Sequence, residues 1–435
     1  MNFDLLIKNV DIVTMDDLNT VIHNGFIGIS DKKICLVSDK LPEDVSSRQI
    51  INGKGRLAMP GLINAHTHSA MTLMRNYADD LPLDAWLFDN IFPIEAKLTD
   101  KDVYWGTMLG IAEMLKSGVT AFADMYMFMD EVARAVTETG IKANLCKSPV
   151  QFFEGGELKR LDISQGTIDY YKQYHNSADE RIKVFVEIHS TYMFNERTLT
   201  IAADLAKQLN TGIHIHLLEA TTEIESSNKD YGMTSVEICK KTGVLDVPVL
   251  AAHCVHLTDS DIEIMKEMGC DIVHNPTSNL KLGSGIARVP EMLDRGINVC
   301  LGTDGAASNN NLNMFEEMNL AALIHKGKAM NPQLMKAETV LKMGTRNGAK
   351  AIGFHDTGSI VEGTKADIIL VDTDKPHFYP KNNPLSTLVY SAQASDVDTV
   401  IVDGRLILQN RIFTEIDEEK IKYEVHGLSN RLLGR

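Results

Sequence analysis

Between about residues 59 and 358 the chain alternates short apolar runs of strand character with stretches whose apolar residues recur at helical spacing, and it does so eight times. The runs are GLINAHTH, VTAFADMY, IKANLCKSPV, IKVFVEIHS, GIHIHLLE, VPVLAAHCV, CDIVHNP and GINVCLGTDG. Strands this apolar need cover on both faces, which is the demand of a parallel sheet flanked by helices. Eight such units match an α/β fold of the (β/α)8 barrel type. Thr99 or Asp100, and Thr258, stand where helix N-caps are needed, and Gly118, Gly140 and Gly269 stand where helices should stop. A long polar helix is expected through the 160s, with Lys159 and Arg160 on its solvated face. The competing arrangement is a doubly wound open sheet, but no GxGxxG or GxxxxGK[ST] opens a helix to cradle a phosphate.

The flanks have a different pattern. Residues 1–57 contain the β-rich runs FDLLIKNVDIVTM, GFIGISDKKICLVS and RQIINGKGRLAMP, with Gly25, Asp31-Lys32, Gly53 and Gly55 as turns. A piece of this size buries too little apolar surface to stand alone. Residues 359–435 repeat the pattern in GSIVEGTKADIILVDTD and VDTVIVDGRLILQNRIF. The expectation is one small β-sandwich built from both chain ends, closed by a C-terminal helix, beside a barrel of residues 58–358.

In such a barrel the chemistry sits at the C-terminal ends of the strands. His66 and His68 end the first run, His189 the fourth, His216 and Glu219 the fifth, His253 the sixth and Asp304 the eighth. Residues i and i+2 of a strand share a face, so His66 and His68 can converge on one ion. Taken singly, each of these side chains is equally an ordinary polar group leaving a strand. Their joint placement at one end of the barrel points to a metal site with acid–base groups beside it.

Charge and composition remove other classes of function. The 59 acidic and 43 basic side chains leave a net charge of −16, which repels nucleic-acid phosphates and anionic membranes. No basic, apolar leader and no long apolar run occurs, so a soluble, cytoplasmic protein is expected. The six cysteines show no CxxC pairing and read as buried free thiols rather than disulfides or zinc ligands.

Taken together, PGLINAHTH, HLLE, the lone histidine of AAHCVH, LGTDGAASNN and the closing GSIVEGTKADIILVD resemble the amidohydrolase superfamily over essentially the whole chain. Within it the chain is similar to the deaminases that hold one metal. The resemblance implies His66, His68, His216 and Asp304 as ligands of one divalent ion, Zn²⁺ first and Fe²⁺ as the alternative. His214 shares a face with His216; Glu219 fits the family's His-x-x-Glu spacing only from His216, so the resemblance implies that His214 belongs to the barrel interior. Asp304 would accept a proton from water, His253 would orient the water, and Glu219 would protonate a ring nitrogen of a heteroaromatic amine.

The run ADDLPLDAWLFDNIFPIEAKLT resembles the substrate loop of the 5-methylthioadenosine/S-adenosylhomocysteine deaminases. That match implies Trp86 over the nucleoside, Glu95 on ribose hydroxyls and His189 on the 5′ side. Where arginines of that family face an amino-acid carboxylate, this chain has Lys147, a point charge without the arginine fork. Phe152 and Phe153 suit a small apolar 5′ group, so 5-methylthioadenosine, adenosine or 5′-deoxyadenosine is expected to be handled better than S-adenosylhomocysteine. Guanine or cytosine deaminases, triazine hydrolases and a catalytically inactive metal-binding protein are the alternatives. The Met-rich helices around 312–346 suit packing on the barrel and an interface between copies of the chain equally well.

Overall fold

The computed structural model describes residues 1–154 and 157–434, and the side chains of 153–158, Phe153 among them, lie outside that description. Eight parallel strands follow one another around a barrel in chain order: Leu62–Thr67, Val119–Asp124, Lys142–Lys147, Ile182–Ile188, Ile213–Leu217, Val249–His253, Asp271–His274 and Val299–Leu301. The last strand meets the first through a side-chain pair and a backbone bond. Asn64 Nδ2 donates to Thr303 Oγ1 (2.7 Å) while Thr303 N donates to Asn64 Oδ1 (3.0 Å), and Asp304 N donates to the His66 carbonyl (3.0 Å). Small and medium residues such as Ala65, Ala121, Ala123, Cys146 and Val273 fill the barrel axis, and residues of the opposite parity pack outward on the helices.

The helix signals act as the sequence suggests. Thr99 accepts from Asp102 N and completes a capping box before Asp100–Lys116, and Thr258 does the same before Asp259–Glu267. Gly140 ends Met129–Thr139 in the left-handed conformation, φ 81°. In Met314–Ala329 and Ala337–Met343 the side chains of Met314, Met318 and Met343 are fully buried, so these methionines pack inward rather than forming an exposed patch.

A second sheet of nine strands draws on both chain ends. Its seam is the antiparallel pair Arg56–Pro60 and Ile368–Asp372, in which Ala58 faces Leu370. Alternation divides the labour along this pair. Ile368 and Leu370 join Leu5, Ile7, Val10 and Ile401 in the sheet's own core, whereas Ile369 and Val371 join the barrel core. The long run GFIGISDKKICLVS is two strands, Val21–Ser30 and Lys33–Ser38, joined by Asp31 and Lys32 at φ 48° and 69°.

The segment before the 160s departs from the sequence reading. The helix is shorter, Ser164–Tyr174, and Val150–Glu154 pairs antiparallel with Glu157–Asp162 ahead of it. Lys159 and Arg160 therefore lie on a strand and not on a helix face. Arg160 Nε donates to the Met193 carbonyl (2.6 Å), an attachment made by long-range packing that no local spacing announces. Among the described residues no helix is long and apolar enough to cross a membrane.

The two sheets are tied by a buried charge cluster. Lys142, at the start of the third barrel strand, reaches Asp367 Oδ2 at 2.5 Å and Asp403 Oδ1 at 2.6 Å. Thr357 Oγ1 also donates to Asp367 (2.5 Å), and Asp403 N donates to its other oxygen (2.8 Å). Removing the cation leaves two buried carboxylates without their counter-charge. Lys142→Met should therefore lose about 3–5 kcal/mol in chemical denaturation, and wild-type stability would show that the carboxylates are balanced otherwise.

Candidate active site

The C-terminal ends of the barrel strands bring His66, His68, His216, His253, Glu219 and Asp304 into one cluster. Two backbone carbonyls settle how two of these imidazoles are protonated. His68 Nδ1 donates to Met125 O at 2.5 Å, and His216 Nδ1 donates to His189 O at 2.7 Å. A carbonyl only accepts, so each neutral ring carries its hydrogen on Nδ1 and turns the lone pair of Nε2 outward. Those two Nε2 atoms face each other at 3.3 Å. Only a positive charge between them, a proton or a metal ion, makes that approach favourable.

The rest of the cluster demands more than one proton. Asp304 Oδ1 lies 3.3 Å from His68 Nε2 and 3.5 Å from His66 Nε2, and His66 Nε2 is a buried atom without a hydrogen-bond partner. Imidazole nitrogens and a carboxylate oxygen converge in overlapping groups, His66/His68/Asp304 and His66/His216/His253, and such donors suit a divalent ion of the Zn²⁺ type. The supporting contacts have the form that orients such donors. Ser278 Oγ and Ser308 Oγ donate to Asp304 Oδ2 at 2.7 and 2.9 Å, and Gly305 N donates to Oδ1 at 2.8 Å. His214 stands one layer deeper, within 2.9 Å of His66 Nδ1 and 3.2 Å of Cys146 Sγ, in the barrel interior where the sequence reading placed it.

The electrostatics follow from burial and from these contacts. Burial pushes His66 down to about 4. Burial would also lower His68, but the hydrogen bond and charge of Asp304 raise it to about 9. Burial alone would raise Asp304, yet the imidazoles of His66 and His68 hold its carboxyl well below the usual range. Glu219 is driven the other way: burial raises it, and Asp304 adds to the rise while His253 opposes it. Two carboxyls of one site are thus pushed in opposite directions, Asp304 down and Glu219 up, an arrangement suited to acid and base work.

His253 faces both halves of the cluster. Its Nδ1 lies 2.9 Å from Asn279 Oδ1 and 3.7 Å from Glu219 Oε1, while its Nε2 is buried without a partner. It sits at φ 71° at the very end of its strand, and Asp304 sits at φ 63°. Left-handed backbone at two residues with side chains larger than glycine is strain of the kind held at functional sites.

Above the cluster opens a cavity of about 680 Å³, large enough for a nucleoside-sized molecule. Its lining includes Trp86, Glu95, Lys147 and His189, so all four residues expected to bind substrate reach the same space. Trp86 belongs to a turn of π-helix, Ala85–Ile91, and its indole N–H is buried without an acceptor. Glu95 is buried beside Tyr126, and burial raises its carboxyl. Burial lowers His189 to about 4, so it is a neutral ring at pH 7. Lys147 points its ammonium at Asp130 (4.0 Å) and over the Tyr170 ring (5.4 Å), away from the cluster. Phe152 lines the cavity and packs on Phe194, with ring centres 5.2 Å apart.

Several members of the site escape sequence reasoning. Ser278, Ser308 and Asn279 are common loop residues whose contacts depend on closure of the barrel. Tyr126 and Glu187 line the cavity from strand ends and carry no spacing signal beyond their strand positions.

Residues 57–407 match the amidohydrolase family, and residues 4–52 match the BsNagA composite domain. The chain is 56% identical to a 5-methylthioadenosine/S-adenosylhomocysteine deaminase of Acetivibrio thermocellus, over 99% of this chain and 100% of the relative. It is 45% identical to a 5′-deoxyadenosine deaminase of Methanosarcina mazei, over 99% of each. A zinc-bound adenosine deaminase of Xanthomonas campestris superposes with a TM-score of 0.94 at 31% identity, over 100% of this chain and 99% of that one. A barrel whose strand ends gather three imidazoles and a carboxylate, and a second sheet assembled from both termini, together with these matches establish that the chain belongs to the amidohydrolase family.

Proposed function

We propose that the chain is a metal-dependent hydrolase that deaminates an adenine nucleoside (5-methylthioadenosine, S-adenosylhomocysteine, adenosine or 5′-deoxyadenosine) to the inosine analogue and ammonia. The observation that carries this reading is the convergence of Asp304 and Glu219 with the imidazoles of His66, His68, His216 and His253 at the wall of a mostly apolar cavity. Nucleoside deaminase names among the similar proteins support the substrate class. His66, His68, His216 and Asp304 would hold the ion, with Zn²⁺ favoured by the zinc-bound neighbour and Fe²⁺ accepted by the same donors. Bound there, a divalent ion supplies Lewis-acid activation of water at neutral pH.

The protein's own groups do the rest. Glu219, whose carboxyl is pushed upward by burial, gives a proton to the ring nitrogen beside the amino-bearing carbon, which makes the carbon electrophilic. Asp304 takes one proton from the attacking water and delivers it to the departing amine, and the remaining hydroxyl proton returns to Glu219 as the carbonyl forms, which restores both carboxyls. His253, steadied by Asn279, aligns the water and stabilises charge at the tetrahedral carbon. Trp86 covers the base, Glu95 accepts from the ribose hydroxyls, and His189 and Lys147 border the 5′ side. Cytoplasmic residence fits six cysteines none of which is paired, five of them buried. Glu95 is the residue that separates nucleosides from free bases and triazines, because only a sugar offers it hydroxyl donors.

Replacing the proton donor isosterically is the direct check. Glu219→Gln should lower kcat on adenosine, followed by the absorbance change to inosine, by about 10²- to 10⁴-fold while leaving the fold intact. Near wild-type turnover would remove Glu219 from the mechanism. A second measurement addresses the supporting contacts: Ser278→Ala should weaken zinc affinity about 10- to 100-fold in competition with a chromophoric chelator. Unchanged affinity would show that Ser308 and Gly305 hold Asp304 without it.

A further inference from the structure

One acidic side chain on the cavity wall has no part in the chemistry above. Glu187, in the fourth barrel strand, is 8% exposed and lines the cavity. It lies in register with His214 of the fifth strand, so it points into the barrel as His214 does. Among the described residues none gives it a hydrogen bond or an ion pair. The imidazole of His68 and the ammonium of Lys147 act on it only through space, and Lys147 is turned to Asp130 and Tyr170. A carboxyl that faces a cavity and takes no hydrogen bond from the protein is available to accept one from a ligand.

The position of Glu187 indicates which part of a nucleoside would reach it. The base must lie against Glu219, His253 and Asp304, contributed by the fifth, sixth and eighth strands. The sugar would then extend along the cavity wall that carries Glu95, Tyr126, Lys147 and Glu187. Glu95 accepts from the ribose diol in the reading above, which leaves Glu187 facing the 5′ end. A 5′ hydroxyl donates a hydrogen bond, whereas a 5′ methyl or thioether does not.

We propose that Glu187 is a specificity-determining residue that accepts a hydrogen bond from the 5′ hydroxyl of the substrate, so that adenosine is favoured over 5′-deoxyadenosine. The inference rests on the nucleoside reading of the site and deepens it. A hydrogen bond from a neutral donor to a carboxylate contributes enough to expect roughly a tenfold preference in kcat/KM. In Glu187→Leu the acceptor is gone while the volume is kept, and the ratio of the two kcat/KM values should fall to about one, mainly by loss on adenosine. Its thermal midpoint without substrate should match that of the wild type, because the carboxyl lines the cavity and makes no hydrogen bond within the described protein that the substitution would remove. Glu187→Gln keeps the shape and one acceptor oxygen and should retain only part of the preference, so it decides the matter even if the leucine variant folds poorly.

The test is steady-state kinetics of the zinc-loaded full chain and both variants on the two nucleosides, with melting curves alongside. A ratio unchanged by both substitutions would overturn the specificity role. A lowered midpoint with equal loss on both substrates would instead make Glu187 structural and would also overturn it. If the zinc-loaded wild type turns over neither nucleoside, the deaminase reading itself falls and takes this inference with it, which distinguishes that failure from an unmoved ratio on two good substrates.

Discussion

Two imidazole lone pairs held 3.3 Å apart, on His68 and His216, set the terms for the mouth of this barrel. The carbonyls of Met125 and His189 force that orientation by taking the other nitrogen's hydrogen. The arrangement is costly unless positive charge lies between the rings, and Asp304 and His66 approach the same point. The backbone that supplies the carbonyls is the end of the barrel itself. The site is therefore built by closure of the sheet and not by any one loop.

Closure in turn depends on features far from the chemistry. The first and eighth strands meet through Asn64 and Thr303 and through Asp304 N on the His66 carbonyl, so the bonds that shut the barrel also place two of the donors. Below the barrel, Lys142 with Asp367 and Asp403 joins the third strand to the sheet made from both termini. Ile369 and Val371 carry that sheet's other face into the barrel core. Because the seam strand Arg56–Pro60 runs almost directly into Leu62–Thr67, the mount of the second sheet is also the lead-in to His66 and His68.

The parts of this design that depend on local pattern could be read from the sequence. Apolar runs of strand length, capping threonines and stopping glycines marked the eight units, and the histidines and carboxylates at their ends marked the mouth. The choice between His214 and His216 needed a family pattern, because alternation puts both on one face; in the fold they separate by depth, His214 bonding to His66 and His216 reaching His68. The pairing of Val150–Glu154 with Glu157–Asp162 was not legible, since cross-strand partners leave no helical or alternating signature strong enough to outweigh a run of charges. Ser278, Ser308 and Glu187 were equally hidden. Their meaning lies in what stands opposite them, and a sequence does not state that.

The roles assigned to the cluster require the ion to sit among His66, His68, His216 and Asp304, with His253 left outside to act on water. A rival grouping exists in the same cluster, since the donor atoms of His66, His216 and His253 also lie within 4.8 Å of one another. Anomalous scattering at the zinc edge from crystals of the zinc-loaded protein separates the two. The expected result is one peak per chain at about 2.0–2.2 Å from His66 Nε2, His68 Nε2, His216 Nε2 and an Asp304 oxygen. A peak bonded to His253 in place of His68, or no peak at the barrel mouth, would contradict it.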